Sequence, residues 1–260
     1  MKGAPVIEVS DGAAIPRRKD AGLFSAWRIS FAGAILILVY LAVSQPDPYY
    51  EILRFIPDGI LVTFQVTICS IFFALILGLI TGLGRISRNR IVNSAASIYV
   101  EVVRGIPLLV QLFYIYYALG RFVRLPDMVA AVIAMSICYG AYMGEVFRAG
   151  IESIHKGQTE AARSLGFNQA QTMRYVIIPQ AWRTILPPVG NEFIALLKDT
   201  SLVSILAVAD ILRRGREFAA ESFAYFETYT VIALVYLIIT LILSKLVSHL
   251  EERYNHYGPG

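Results

Sequence analysis

Ile60-Leu-Val-Thr-Phe-Gln-Val-Thr-Ile-Cys-Ser-Ile-Phe-Phe-Ala-Leu-Ile-Leu-Gly-Leu-Ile-Thr-Gly-Leu83 runs without a single charged side chain. At about 1.5 Å per residue, roughly 20 helical residues cross the ~30 Å hydrocarbon core of a bilayer. Lipid offers no partner to a free backbone N–H or C=O, so such a run crosses as a helix. Four further stretches read the same way: 98–119, 128–149, 186–208 and 228–248. A shorter apolar run, 31–43, precedes them, with Trp27 placed as an interfacial anchor. It is read as a retained transmembrane helix over 26–44. The rival reading is a cleaved signal peptide, because Ala42-Val43-Ser44 resembles a small-residue cleavage site. A long leading region containing Glu8, Asp11 and Asp20 argues against the rival. Residues 1–25 and 251–260 read as cytoplasmic tails.

Composition agrees. The chain is 57% hydrophobic and 16% charged, against about 25% charged for an ordinary soluble domain. The Lys and Arg residues set the orientation. With the N-terminus inside, 15 of the 23 fall in inner segments and 6 in outer ones, with Arg104 and Lys198 inside spans. The cluster Arg213-Arg214-Arg216 falls outside, against the bias. Cys69 and Cys138 sit in apolar runs and read as small buried hydrophobes rather than metal ligands. The three histidines match no metal-binding pattern, and no G-x-x-x-x-G-K-[ST] phosphate loop is present. No cofactor or metal is expected, and any ATP that drives this protein binds another chain.

The longest connection, 150–185, is polar and cytoplasmic. Its residues 157–179 read Gly-Gln-Thr-Glu-Ala-Ala-Arg-Ser-Leu-Gly-Phe-Asn-Gln-Ala-Gln-Thr-Met-Arg-Tyr-Val-Ile-Ile-Pro. Two short helices are expected. The first ends near Leu165, with Gly166 in the left-handed position beyond it. Asn168 caps the second, with Gln171 completing a capping box, and Pro179 stops it. Ala161, Ala162 and Leu165 are expected to form one small-residue face for close approach of another backbone. A DNA-binding helix-turn-helix has a similar outline, but a loop between two membrane spans lacks the soluble domain it needs. No nucleic-acid partner is expected.

This segment resembles the signature loop of ABC importer permeases, E-A-A-x-x-x-G, nine residues, then I-x-L-P. Here Glu160-Ala161-Ala162, Gly166 and Pro179 are in register, with Val176 and Ile178 as conservative replacements. Glu101-Val-Val-Arg104-Gly105-Ile-Pro107-Leu-Leu-Val-Gln111-Leu-Phe resembles the second-span motif of the polar amino-acid permeases, the histidine, glutamine and arginine uptake group. Ile106 stands where that group often has Thr. Tyr139-Gly-Ala-Tyr-Met-Gly-Glu145-Val-Phe-Arg148-Ala-Gly150-Ile-Glu-Ser-Ile and Pro187-Pro188-Val-Gly-Asn191-Glu192-Phe-Ile-Ala-Leu-Leu-Lys198-Asp199-Thr200-Ser201-Leu202 flank the loop as in that group.

The resemblance implies an all-α bundle of five core spans of the MetI-like permease type over 57–250, plus the extra N-terminal helix. It implies a multi-pass subunit of the bacterial inner membrane, without catalytic residues of its own, that imports a polar amino acid. The implied partners are cytoplasmic ATPase subunits, a second identical or related permease chain, an extracytoplasmic substrate-binding protein and membrane lipid. Gly157, Glu160, Ala161, Ala162, Leu165, Gly166 and Pro179 become the ATPase-coupling residues. The alternative is an ion-coupled secondary transporter using Glu101 and Glu192 as proton sites; no inverted repeats support it.

A charge at mid-bilayer costs at least about 2.5–3.5 kcal/mol on insertion scales, so intramembrane charges are candidates for function. Glu101 and Arg104, spaced i,i+3, can pair along one face. Asn191, Glu192, Lys198 and Asp199 are expected to form one polar stripe. With Glu145 these are the substrate-pathway candidates. Two readings stand: they meet the ammonium and carboxylate of an amino acid, or they pair with one another and hold helices together. Pro107 beside Gly105 should kink its span and free a carbonyl. Gly78/Gly82 and Gly140/Gly144 are G-x-x-x-G pairs that permit close crossings.

Overall fold

The computed structural model describes residues 25–123 and 125–255, and among them only helices and their connections occur. Residues 1–24 and 256–260, most of the expected tails, lie outside the described residues. In chain order the helices are α1 (Ala26–Ser44), α2 (Pro46–Phe55), α3 (Pro57–Arg85), α4 (Arg90–Gly105), α5 (Leu108–Phe122) and α6 (Asp127–Glu152). They continue with α7 (Lys156–Ser164), α8 (Gln169–Thr172), α9 (Ile178–Asp199), α10 (Ile211–Ser222) and α11 (Tyr225–Asn255). A π-helical turn, Met173–Ile177, joins α8 to α9, and a 3₁₀ turn, Thr200–Leu206, follows α9.

α1, α6, α11 and the run through α3 are each long and apolar enough to cross a membrane. The span expected at 98–119 is broken rather than kinked: α4 and α5 meet at 110°. Pro107 has no N–H for the carbonyl of Val103, and the residue before a proline is driven out of the helical region. Ile106 accordingly sits at φ −104°, ψ 135°. The span expected at 186–208 also differs. α9 begins earlier, at Ile178, and its last part is 3₁₀ rather than α.

The two G-x-x-x-G pairs meet inside one chain, at the crossing of α3 and α6. A Cβ on Gly82 would lie 2.7 Å from Phe147 Cβ, and one on Gly140 would lie 2.9 Å from Leu77 Cβ. Gly78 faces Met143 and Gly144 faces Thr81 in the same way. Side chains at these positions would hold the backbones apart and open the core built around Met135, Tyr139, Met143 and Phe147.

α2 and α10 form a layer at the N-terminal ends of α3 and α11 that the apolar runs did not reveal. Both are amphipathic, and they share a core of Tyr49, Ile52, Ile56, Ile211, Phe218, Val231 and Ile232. Asp210 caps α10 by accepting from the N–H groups of Leu212 (3.3 Å) and Arg213 (2.9 Å), while Thr63 Oγ1 accepts from Ile211 N–H at 3.3 Å. Arg213 and Arg214 are engaged locally. Arg213 Nε lies 2.7 Å from Glu217, and Arg214 lies 3.5 Å from Glu217 and 3.9 Å from Asp58. At the opposite end Trp27 donates its indole N–H to Leu241 O at 2.8 Å, fastening α1 to α11.

Candidate coupling loop and intramembrane cavity

The 150–185 loop is built by local chemistry. His155 caps α7, its Nδ1 accepting from Gly157 N–H at 3.1 Å. α7 ends in a Schellman turn. Gly166 sits at φ +88°; its N–H donates to Arg163 O (3.0 Å) and the N–H of Phe167 to Ala162 O (3.1 Å). Two residues on, Asn168 and Gln171 close a reciprocal capping box, both bonds 2.9 Å.

Pro179 does not stop the chain's helical course. The π turn before it bonds one residue further back, Ile178 N–H to Met173 O. α9 then starts afresh with proline in its first turn, where no N–H is needed. The small-residue face is also divided. Ala162 packs inward at 3% exposure, about 100° around the helix from the exposed Ala161, while Leu165, at the cap beyond the last helical residue, stands out at 79%. Glu160 and Ala161 are exposed beside it. Ile151, Ile177, Ala181 and Ile185 root the loop in the main core.

The intramembrane candidates separate into three groups. Arg104, Glu145 and Glu192 line one cavity of about 280 Å³ between α4, α6 and α9, with Tyr142, Ala149 and Thr184 among its walls. The guanidinium of Arg104 lies over the Tyr142 ring, 5.5 Å from its centroid. Glu145 is already engaged by Arg85 and Arg148, and Arg148 in turn by Glu152. Among the described residues no ion pair joins Glu101 to Arg104; both are exposed on α4.

The expected four-residue stripe on α9 is two stripes. Positions 191 and 192 differ by about 100° around the helix. Asn191 and Lys198 therefore face outward and are exposed, whereas Glu192 and Asp199 turn inward and are half-buried. Asp199 accepts a hydrogen bond from the Tyr139 hydroxyl at 2.7 Å. Tyr142 and Arg85 received no role from the sequence. A tyrosine within a glycine-rich span, spaced i,i+3 from Tyr139, was the available signal for the first. Arg85 was counted only as a loop charge.

The family model of the binding-protein-dependent transport system inner membrane component matches residues 74–256. The glutamine transport system permease protein GlnP of Escherichia coli (strain K12) is 40% identical over 199 residues, 75% of this chain and 91% of that protein. The L-cystine transport system permease protein TcyB of Bacillus subtilis (strain 168) is 45% identical over 201 residues, 76% of this chain and 86% of that protein. The crystal structure of an amino acid ABC transporter with histidines superimposes with a TM-score of 0.74 at 40% identity, covering 82% of this chain and 98% of that one. The MetNI methionine ABC transporter in inward-facing conformations shares the fold, with a TM-score of 0.68 at 16% identity. A helical membrane bundle with this loop, matched by the family model over most of its length, belongs to the family of binding-protein-dependent transport system inner membrane components.

Proposed function

We propose that this chain is the permease subunit of an ATP-driven importer, carrying a polar amino acid across the inner membrane. The observation that carries this reading is the shared cavity of Arg104 and Glu192. Glu145 is neutralised by its two arginines, and among the described residues Glu192 makes no ion pair or hydrogen bond. One cation and one carboxylate in a walled intramembrane cavity suit the carboxylate and ammonium of a zwitterion. The relatives are permeases for glutamine and L-cystine, both α-amino acids.

The 157–179 loop docks a cytoplasmic ATPase. Its short α7 is rigidly terminated at Gly166 and presents Glu160, Ala161 and Leu165 to the cytoplasm. Glu101, Asn191 and Lys198 are exposed in the single chain, on helices that the sequence reading places within spans. Lipid cannot solvate them, so a second permease chain covers that side. A substrate-binding protein delivers the amino acid from outside. An ion-coupled secondary transporter is not favoured, because the family consists of components of binding-protein-dependent systems.

The test is reconstitution. The chain should co-purify with an ATPase, and in vesicles with the binding protein an amino acid should stimulate hydrolysis. Arg104→Gln should reduce uptake while leaving assembly and basal ATPase intact. Uptake that persists without any ATPase would overturn the importer reading. Loss of insertion on Arg104→Gln would overturn the substrate role.

A further inference from the structure

The break between α4 and α5 strands several carbonyls at the end of α4, and Val103 O and Ile106 O lie within reach of Gln111. In an unbroken helix Val103 O would accept from the N–H of residue 107, which is proline. Ile106 O lies at the corner, in extended backbone. A buried carbonyl left unpaired is strongly disfavoured, all the more at membrane depth. Gln111, 7% exposed, serves both: its Nε2 donates to Val103 O at 2.5 Å and to Ile106 O at 2.6 Å. Only the amide nitrogen can supply two donors, which fixes the orientation of the side chain. Its Oε1 then accepts from Cys138 Sγ of α6 at 3.0 Å.

Arg104 lies between the two carbonyls that Gln111 holds. Its guanidinium rests on Tyr142, one helical turn along α6 from Cys138. The elbow and the cavity are therefore registered against α6 by two contacts on adjacent turns. A lysine or serine four residues after the proline could not bridge both carbonyls and still accept from α6.

We propose that Gln111 is a positioning residue for substrate passage, setting where Arg104 stands in the cavity by clamping the α4–α5 elbow. This rests on the reading of Arg104 as the carboxylate partner. The alternative is that Gln111 merely satisfies backbone and stabilises the fold.

The experiment uses the complete complex with its ATPase and binding protein. Spin labels at Ile98→Cys and Tyr114→Cys, both on exposed positions, report the elbow angle. Cys69→Ala removes the exposed native thiol, whereas Cys138 is buried and stays. Four forms are compared: the unaltered clamp, Gln111→Leu, Pro107→Ala and Gln111→Leu with Pro107→Ala. The expected result is one narrow distance for the unaltered clamp and a broadened distribution for Gln111→Leu. The double variant regains a backbone donor for Val103 O, so its melting temperature and ATPase association should recover. Uptake of radiolabelled L-glutamine should nevertheless stay at least tenfold down.

An unchanged distance distribution in Gln111→Leu would overturn the clamp. Recovery of uptake together with stability in the double variant would reduce Gln111 to a fold stabiliser and overturn the proposal. Full uptake in Arg104→Gln alongside lost uptake in Gln111→Leu would overturn the route through Arg104. Should the unaltered complex accumulate neither radiolabelled L-glutamine nor any other polar amino acid, the substrate reading fails, while the distances still decide the elbow.

Discussion

The Tyr139 hydroxyl donates to Asp199 Oδ2 at 2.7 Å, joining the middle of α6 to the last residue of α9. Tyr139 is 3% exposed, and the carboxylate it serves lies where the α helix gives way to the 3₁₀ turn.

Tyr139→Phe should therefore destabilise the protein by about 0.5–1.5 kcal/mol, the usual net contribution of one intramolecular hydrogen bond. Adding Asp199→Asn should recover part of that loss, because a neutral amide is easier to leave unpaired than a carboxylate. Thermal melts of the purified protein in detergent measure both. A Tyr139→Phe variant as stable as the parent would show that the bond contributes nothing.

Gly166→Val addresses coupling. No atom lies within 4 Å of a Cβ at Gly166, so space is not the obstacle. The obstacle is φ +88°, which costs a residue with a Cβ roughly 1–2 kcal/mol, most of all when β-branched. The Schellman turn should distort and displace Glu160 and Leu165, while membrane insertion survives. The expected phenotype is weak ATPase association, hydrolysis that ignores substrate, and little uptake. Gly166→Asn should be milder. Parental uptake by Gly166→Val would remove this loop from the coupling role.

At the α3–α6 crossing, Gly144→Ala should lower expression and melting temperature, with the roughly 1–3 kcal/mol typical of overpacking. Its new methyl meets Thr81 Oγ1 and lies 3.2 Å from Thr81 Cβ. Gly33→Ala on α1 is the matched control, since nothing lies within 4 Å there. Equal melting temperatures for the two variants would contradict the packing argument.

Asp210 makes stability depend on pH. Burial pushes its carboxyl up to about 6, outweighing the N–H groups of Arg213 and Leu212 and the Tyr236 hydroxyl that favour its ionised form. The folded value lies above the ordinary one, so the protein is most stable with the proton bound. That advantage is complete below about pH 4, is lost as pH rises through about 6, and changes little above. Two pKa units correspond to about 3 kcal/mol. Asp210→Asn keeps a capping oxygen without the charge. Its melting temperature should rise relative to the parent as pH goes from about 4 to 7. A constant difference across that range would rule out the effect.

What the sequence revealed followed the range of the forces involved. Gly166 and the Asn168–Gln171 box were legible because each is decided within four residues. The spans were legible because lipid imposes one length and one hydrogen-bonding solution. The elbow was half legible: Pro107 announces a missing donor, but the 110° turn depends on Gln111 and Cys138 arriving from other helices. α2 and α10 escaped because an amphipathic helix at a membrane surface carries no long apolar run. The α9 charges were grouped by their seven-residue spacing, which fixes 191 with 198 and 192 with 199 but says nothing of which pair faces the protein.

Four glycines set two backbones against each other at the α3–α6 crossing, and no side chain stands between them to rotate aside. Sliding either helix by a fraction of a turn would drive Met143, Phe147, Leu77 or Thr81 into the opposing main chain. The seam is thus a stator. Any alternation between the two sides of the membrane is articulated away from it, at interruptions of helical hydrogen bonding such as the π turn ahead of Pro179 and the 3₁₀ turn beyond Asp199. These two joints flank α9, one wall of the cavity, and neither lies on the seam.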